Sequence, residues 1–254
     1  MHLGWVSFVG ATLLLTVACS TSNNGDSPGA TSTQPPGVTP NVQITLPPGS
    51  PTQPAGSASD EPVAFQTADG VTLRGHLYAP AGAKRKVLVL ASTQPQSTWK
   101  PYAAEFAGQG IALLTFDPRG VGETGGARND AMNDDDFVLA IGFIKSRDYP
   151  QVYVMGIGSP VAGAAFTAAS VSQVAGVIAS PAGANTAQEF MRITAPKLYI
   201  TNEGDATSEA NSKLAVQVGP GAGVTVTILD PPHSSPDILG NPDARQAILD
   251  FISK

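Results

Sequence analysis

From Val63 onward, short apolar runs alternate with amphipathic segments in an order that predicts a layered sheet. Val63–Thr67 and Val71–Tyr78 alternate in polarity about a turn holding Asp69-Gly70, which predicts a β-hairpin. Lys86–Ala91 and Gly110–Phe116 are continuous apolar runs, the signature of strands buried on both faces. Tyr102–Gly108, between them, suits a helix. Asp134–Ser146 sets Phe137, Val138, Ile141 and Ile144 at helical spacing behind an acidic first turn, so Asp134-Asp135-Asp136 reads as a helix start. A strand at Val152–Met155, a small-residue helix at Val161–Ser170 and a strand at Val174–Ala179 follow. Strands at Lys197–Thr201 and Val224–Leu229 and a helix at Ala244–Ile252 complete the order. Buried strands alternating with helices need right-handed crossovers. The expected fold class is therefore α/β, with a mostly parallel, doubly wound sheet.

The start of the chain has a different texture. Leu3–Ala18 is an apolar run of signal-peptide length, shorter than the roughly 20 residues a membrane span needs. It ends in Leu15-Thr16-Val17-Ala18-Cys19, which resembles a bacterial lipobox, although no Lys or Arg precedes it. The resemblance implies cleavage before Cys19 and lipid on that cysteine, which makes the membrane a partner through its lipid and the location extracytoplasmic. The next stretch is rich in Ser, Thr, Asn, Gln, Gly and Pro, with too few apolar groups to offset chain entropy. Its prolines favour extended, polyproline-like spacers. The expected organisation is a signal over 1–18, a disordered tether over 19–60 and one domain over 61–254.

Composition narrows the chemistry. The net charge is −6, which argues against nucleic-acid binding and against an electrostatic role at an anionic membrane. Cys19 is the only cysteine of 254 residues, so the domain has neither a disulfide nor a catalytic thiol. Neither a phosphate loop nor a histidine or carboxylate set at metal-ligand spacing is visible, and no metal or cofactor is expected.

One motif carries more. Asp117-Pro118-Arg119-Gly120-Val121-Gly122-Glu123-Thr124-Gly125-Gly126 follows the second buried run and closely resembles the Asp-x-Arg-Gly-x-Gly-x-Ser segment of α/β-hydrolases. That stretch is expected to be structural. The resemblance runs from about Glu61 to the end in the same element order, and is strongest to small esterases and dienelactone-hydrolase-like members. It implies a nucleophile, then an acid, then a histidine, in that chain order. Serine attacks a carbonyl, histidine accepts its proton, and the acid orients the histidine. His233, in Pro231-Pro232-His233, matches the histidine position. Asp205, in Thr201-Asn202-Glu203-Gly204-Asp205, matches the acid, with Glu203 as local competitor. His76 falls in the hairpin and is expected to face solvent or a neighbouring strand.

The nucleophile is where this sequence departs. The family's Gly-x-Ser-x-Gly elbow aligns with Gly156-Ile157-Gly158-Ser159-Pro160, which puts Gly158 in the serine's place. Ser159, one residue later, is the alternative. Its neighbours two residues away, Ile157 and Val161, are β-branched, and Pro160 has no N–H for an oxyanion. The other oxyanion donors would be the amides of Thr93 and Gln94, in a loop that lacks the family's His-Gly pair. Ser92, Thr93 and Ser180 are hydroxyls near strand ends, where open α/β sheets place their pocket; Trp99 and Tyr102 line it or pack on the sheet. Two readings follow. One is a hydrolase-like binder of a small ester or carbonyl compound, lacking its serine. The other is an active serine ester hydrolase using Ser159, His233 and Asp205.

Overall fold

A computed structural model describes residues 58–82, 84–179, 191–203, 224–229 and 235–254, with isolated positions between 206 and 217. Of the two units into which the chain divides, Met1–Thr39 lies outside the described residues. The fold below belongs to the other, Pro40–Lys254.

The predicted hairpin is present as β1 (Ser59–Gln66) and β2 (Thr72–Ala79), paired antiparallel. It starts two residues before the expected domain boundary, because Ser59 and Asp60 still find ladder partners in Ala79 and Tyr78. The core strands are β3 (Lys86–Ser92), β4 (Ile111–Phe116), β5 (Gln151–Ile157), β6 (Gly176–Ala179), β7 (Lys197–Asn202) and β8 (Val224–Leu229). They form one eight-stranded sheet in the order β1-β2-β4-β3-β5-β6-β7-β8. β2 runs against β4, and the six strands from β4 to β8 are mutually parallel.

Strand pleating divides the core in two. Val87, Val89, Val152 and Val154 point to one face, where α2 (Asn133–Lys145) and α3 (Val161–Val171) cover them with Phe137, Ile141, Ala165 and Ala168. Leu88, Leu90, Tyr153 and Met155 point to the other, beneath α1 (Ala103–Gly108) and α4 (Pro242–Ser253) with Phe106, Ile248 and Ile252. α4 is started by Asn241, whose side chain accepts from the amides of Asp243 and Ala244 at 2.7 and 3.1 Å. The helix expected at Tyr102 begins earlier, as a 3₁₀ segment over Gln96–Tyr102 that buries Trp99 in this second face. Trp99 therefore packs on the sheet.

Candidate functional site

In a sheet of this kind the loops after the parallel strands converge at one end, and that is where a pocket belongs. The elbow between β5 and α3 lies there. Gly156, the penultimate residue of β5, has no room for a side chain: a Cβ would overlap the Val161 carbonyl oxygen and stand 2.7 Å from Ala162 Cα. The small residue is needed because α3 crosses directly over the strand. Two residues on, Gly158 has φ +82°, a left-handed conformation that costs a side-chain-bearing residue about 1–2 kcal/mol. Its carbonyl accepts from the Ala162 amide at 2.9 Å, which ties the turn into the first turn of α3. The glycine is buried. Ser159 beside it is exposed, with no hydrogen-bond partner for its hydroxyl among the described residues, and Pro160 follows as the residue just before α3.

The space beside Gly158 is occupied. A Cβ there would sit 2.9 Å from Thr93 Oγ1 and 3.2 Å from Thr93 Cγ2. Thr93 comes from the loop after β3, held by its own amide donating to the Ile157 carbonyl at 3.2 Å. Ser92 is buried at the end of β3, and its hydroxyl accepts from the Gln94 amide at 2.8 Å. This corrects one expectation: the amides of Thr93 and Gln94 both have acceptors within the protein and do not stand free to receive an oxyanion. Each turns inward because the loop is short and closes on its own strand ends.

The Asp-Pro-Arg-Gly segment forms the neighbouring wall and is structural, as expected. The buried Asp117 carboxylate accepts from the Gln96 amide at 2.5 Å and the Glu123 amide at 2.7 Å, so it fastens the loop after β3 to the loop after β4. Burial pushes this carboxyl above its usual range, and the two amides pull it back. Thr124 donates to the Asp117 carbonyl at 2.8 Å and accepts from the Arg74 amide at 2.9 Å, which locks the segment to β2. Arg119 is buried and forks onto Asp136, with contacts of 3.0 Å from Nε to both carboxylate oxygens, and onto Asp69 in the hairpin turn. Asp136 was expected to be one of three acids beginning a helix. It does lie in the first turn of α2, and there it is also the buried counter-ion of Arg119.

His76 meets a neighbouring strand, as expected: its Nδ1 contacts Asp60 of β1, which also accepts from Lys100 at 2.9 Å. It stacks on Tyr78, whose phenol burial pushes up to about 12. Asp205, His233 and Ser180 lie outside the described residues; Glu203 is exposed just past β7. Thr93 as the occupant of the elbow was invisible to sequence reasoning, since nothing in a loop's composition says which distant turn it fills.

No family model matches the chain. Over 94 residues it is 38% identical to the thiohydrolase apmlB of Arthrinium phaeospermum. That match covers 34% of this chain and 30% of that protein, so the chain aligns with under a third of its relative's length. Among solved structures, an esterase of Pyrococcus furiosus, Pf2001, superposes with a TM-score of 0.66 at 16% identity, over 83% of this chain and 96% of that one. The acetyl xylan esterase of Paenibacillus sp. R4 gives 0.64 at 18% identity, over 84% and 88%. The α/β hydrolase GrgF of Penicillium sp. sh18 gives 0.62 at 16%, over 76% and 98%. At such identities the likeness is one of fold. Strand order, crossover pattern and these superpositions agree that the domain has the α/β-hydrolase fold.

Proposed function

We propose that this is an extracytoplasmic lipoprotein, tethered through lipid on Cys19, whose α/β-hydrolase-fold domain has lost its serine nucleophile at Gly158 and binds a small ester or carbonyl compound. The observation that carries the reading is the elbow itself. The residue after β5, two positions past the glycine that α3 crosses, holds the left-handed backbone expected of the nucleophile and has no side chain. The space a nucleophile's Cβ would need is filled by Thr93. His233 and Asp205 remain the histidine and acid of this reading, the imidazole N–H donating to a carbonyl oxygen and Asp205 orienting the ring, without an attacking oxygen beside them.

The second reading, an active carboxylic-ester hydrolase with Ser159 attacking, draws on the exposure of Ser159 and on the esterases among the structural neighbours. It meets the difficulty that Pro160, the residue after it, has no N–H, and one oxyanion donor is worth about 10²–10³ in turnover in a well-studied protease. The two readings separate on the purified chain. A fluorophosphonate probe is expected to leave the protein unlabelled, with p-nitrophenyl acetate hydrolysed near the buffer rate. Robust labelling that Ser159→Ala abolishes would establish the hydrolase instead. The anchor is tested by mass spectrometry of the N-terminal peptide, which is expected to carry acyl chains on Cys19.

A further inference from the structure

The end of the sheet opposite Gly158 gathers several cations that have no carboxylate partner among the described residues. Lys100, Arg119, Arg128, Arg147 and Arg245 each contact a carboxylate. Lys84, Arg85 and Lys145, by contrast, have no carboxylate partner among the described residues, and all three line one open groove of about 900 Å³. Asp148 is the carboxylate among that groove's lining residues, and the ring of Tyr149, with Lys84 Nζ 5.7 Å from its centroid, forms part of its wall. An adjoining depression of about 280 Å³ shares Gln173 and Val174 with it and adds Arg192, again without a carboxylate partner among the described residues. Behind that depression the fully buried Lys197 donates to the carbonyls of Ile193 and Ala195 at 2.6 and 3.3 Å, with no carboxylate partner among the described residues.

Topology explains the clustering. Lys84 and Arg85 precede β3, Lys145 closes the helix that leads into β5, and Arg192 precedes β7, so all lie where parallel strands begin. β1 begins at this end too. It is antiparallel to β2, which is antiparallel to β4, and Ser59 pairs with Ala79, the residue after the Tyr78 that pairs with Leu113 near the start of β4. The first described strand, β1, therefore begins at the cationic end.

We infer that this end is a docking face for anionic phospholipid headgroups, the surface to which the tether would hold the domain. The inference rests on the proposed anchor at Cys19. Phosphodiester oxygens accept from guanidinium and ammonium donors, and clustered Lys and Arg close to a lipid surface add their attractions. The net charge of −6 does not oppose this. β3 alone, seven residues long, separates the two ends of the sheet by about 23 Å, more than twice the roughly 8–10 Å over which salt screens charge. The acids nearest the start of β1 are already paired, Asp60 with Lys100 and His76, Glu61 with Arg147. Docked this way, the Gly158 end would face away from the membrane.

The test uses the full chain purified from bacterial membranes and reconstituted into vesicles of phosphatidylcholine, with or without phosphatidylglycerol. Acylation of lysines by a water-soluble amine reagent is followed residue by residue. On the anionic vesicles Lys84 and Lys145 are expected to react about tenfold more slowly, with the protection released by high salt. An Arg85→Glu/Arg192→Glu variant keeps both reporter lysines and should lose the protection. Equal rates for Lys84 and Lys145 on the two vesicle types overturn the docking face, as does equal protection by inorganic phosphate without vesicles, which would make the groove a small-anion site. A chain that sediments with neither vesicle overturns the anchor, visibly distinct from a chain that sediments with both and stays unprotected.

Discussion

If Thr93 fills the room a side chain at position 158 would need, the two positions must be energetically coupled. Gly158→Ala introduces two costs. The first is backbone: an L-residue at φ +82° costs about 1–2 kcal/mol. The second is steric, because a Cβ 2.9 Å from Thr93 Oγ1 and 3.2 Å from Cγ2 forces the threonine from its place, and overpacking of this kind typically costs about 1–3 kcal/mol. Truncating Thr93 to alanine removes both offending atoms and leaves its Cβ at 3.6 Å, an ordinary contact. Gly158→Ala should therefore cost about 2–5 kcal/mol in the native chain and only about 1–2 kcal/mol beside Thr93→Ala. Equilibrium urea unfolding of the four proteins closes the cycle. A coupling below about 0.5 kcal/mol, the level at which independent sites add, would refute the packing argument. The same logic governs any attempt to install a nucleophile: Gly158→Ser alone is expected to stay inactive, and Gly158→Ser/Thr93→Ala to be the variant that gains p-nitrophenyl acetate hydrolysis.

Other perturbations follow from the same contacts. Gly156→Ala should cost about 3 kcal/mol, at the upper end of overpacking, because its methyl meets the backbone of α3, which has no rotamer to change. Arg119→Met strands Asp136 in the core and should cost about 3–5 kcal/mol at neutral pH by thermal or urea unfolding. In that variant burial, aided by the neighbouring Asp69 and Asp135 carboxylates, raises the folded pKa of Asp136 above the unfolded value. Stability should then be greatest below the ordinary carboxylate range and fall as pH rises through the raised pKa. Lys197 behaves oppositely: burial lowers its folded pKa, so its favourable contribution is present above the unfolded value of 10.5 and is lost as pH falls through the lowered one. Unfolding free energy should accordingly rise with pH in that alkaline window, and Lys197→Met should flatten the rise.

How much of this was written in the linear order of residues depends on the range of the interaction. Apolar runs such as Lys86–Ala91 and Gly110–Phe116 announced buried strands because burial on both faces demands apolar side chains at every position. The hairpin, the helices and the parallel sheet followed from local spacing alone. So did Gly158, since a glycine following a strand and preceding a helix advertises a backbone that side chains resist. Tertiary structure decided which remote pieces meet. Nothing about Asp136 as a helix's fourth residue says that it neutralises Arg119 on another loop, and nothing about Thr93 says that its methyl and hydroxyl occupy the room beside Gly158. The cations at positions 84, 85, 145 and 192 are scattered along a chain of negative net charge, and only the parallel crossovers bring them to one end of the sheet. Periodicity specifies which face of an element is buried. Which other element covers that face is set by packing and chain crossing, and these join residues fifty or a hundred positions apart.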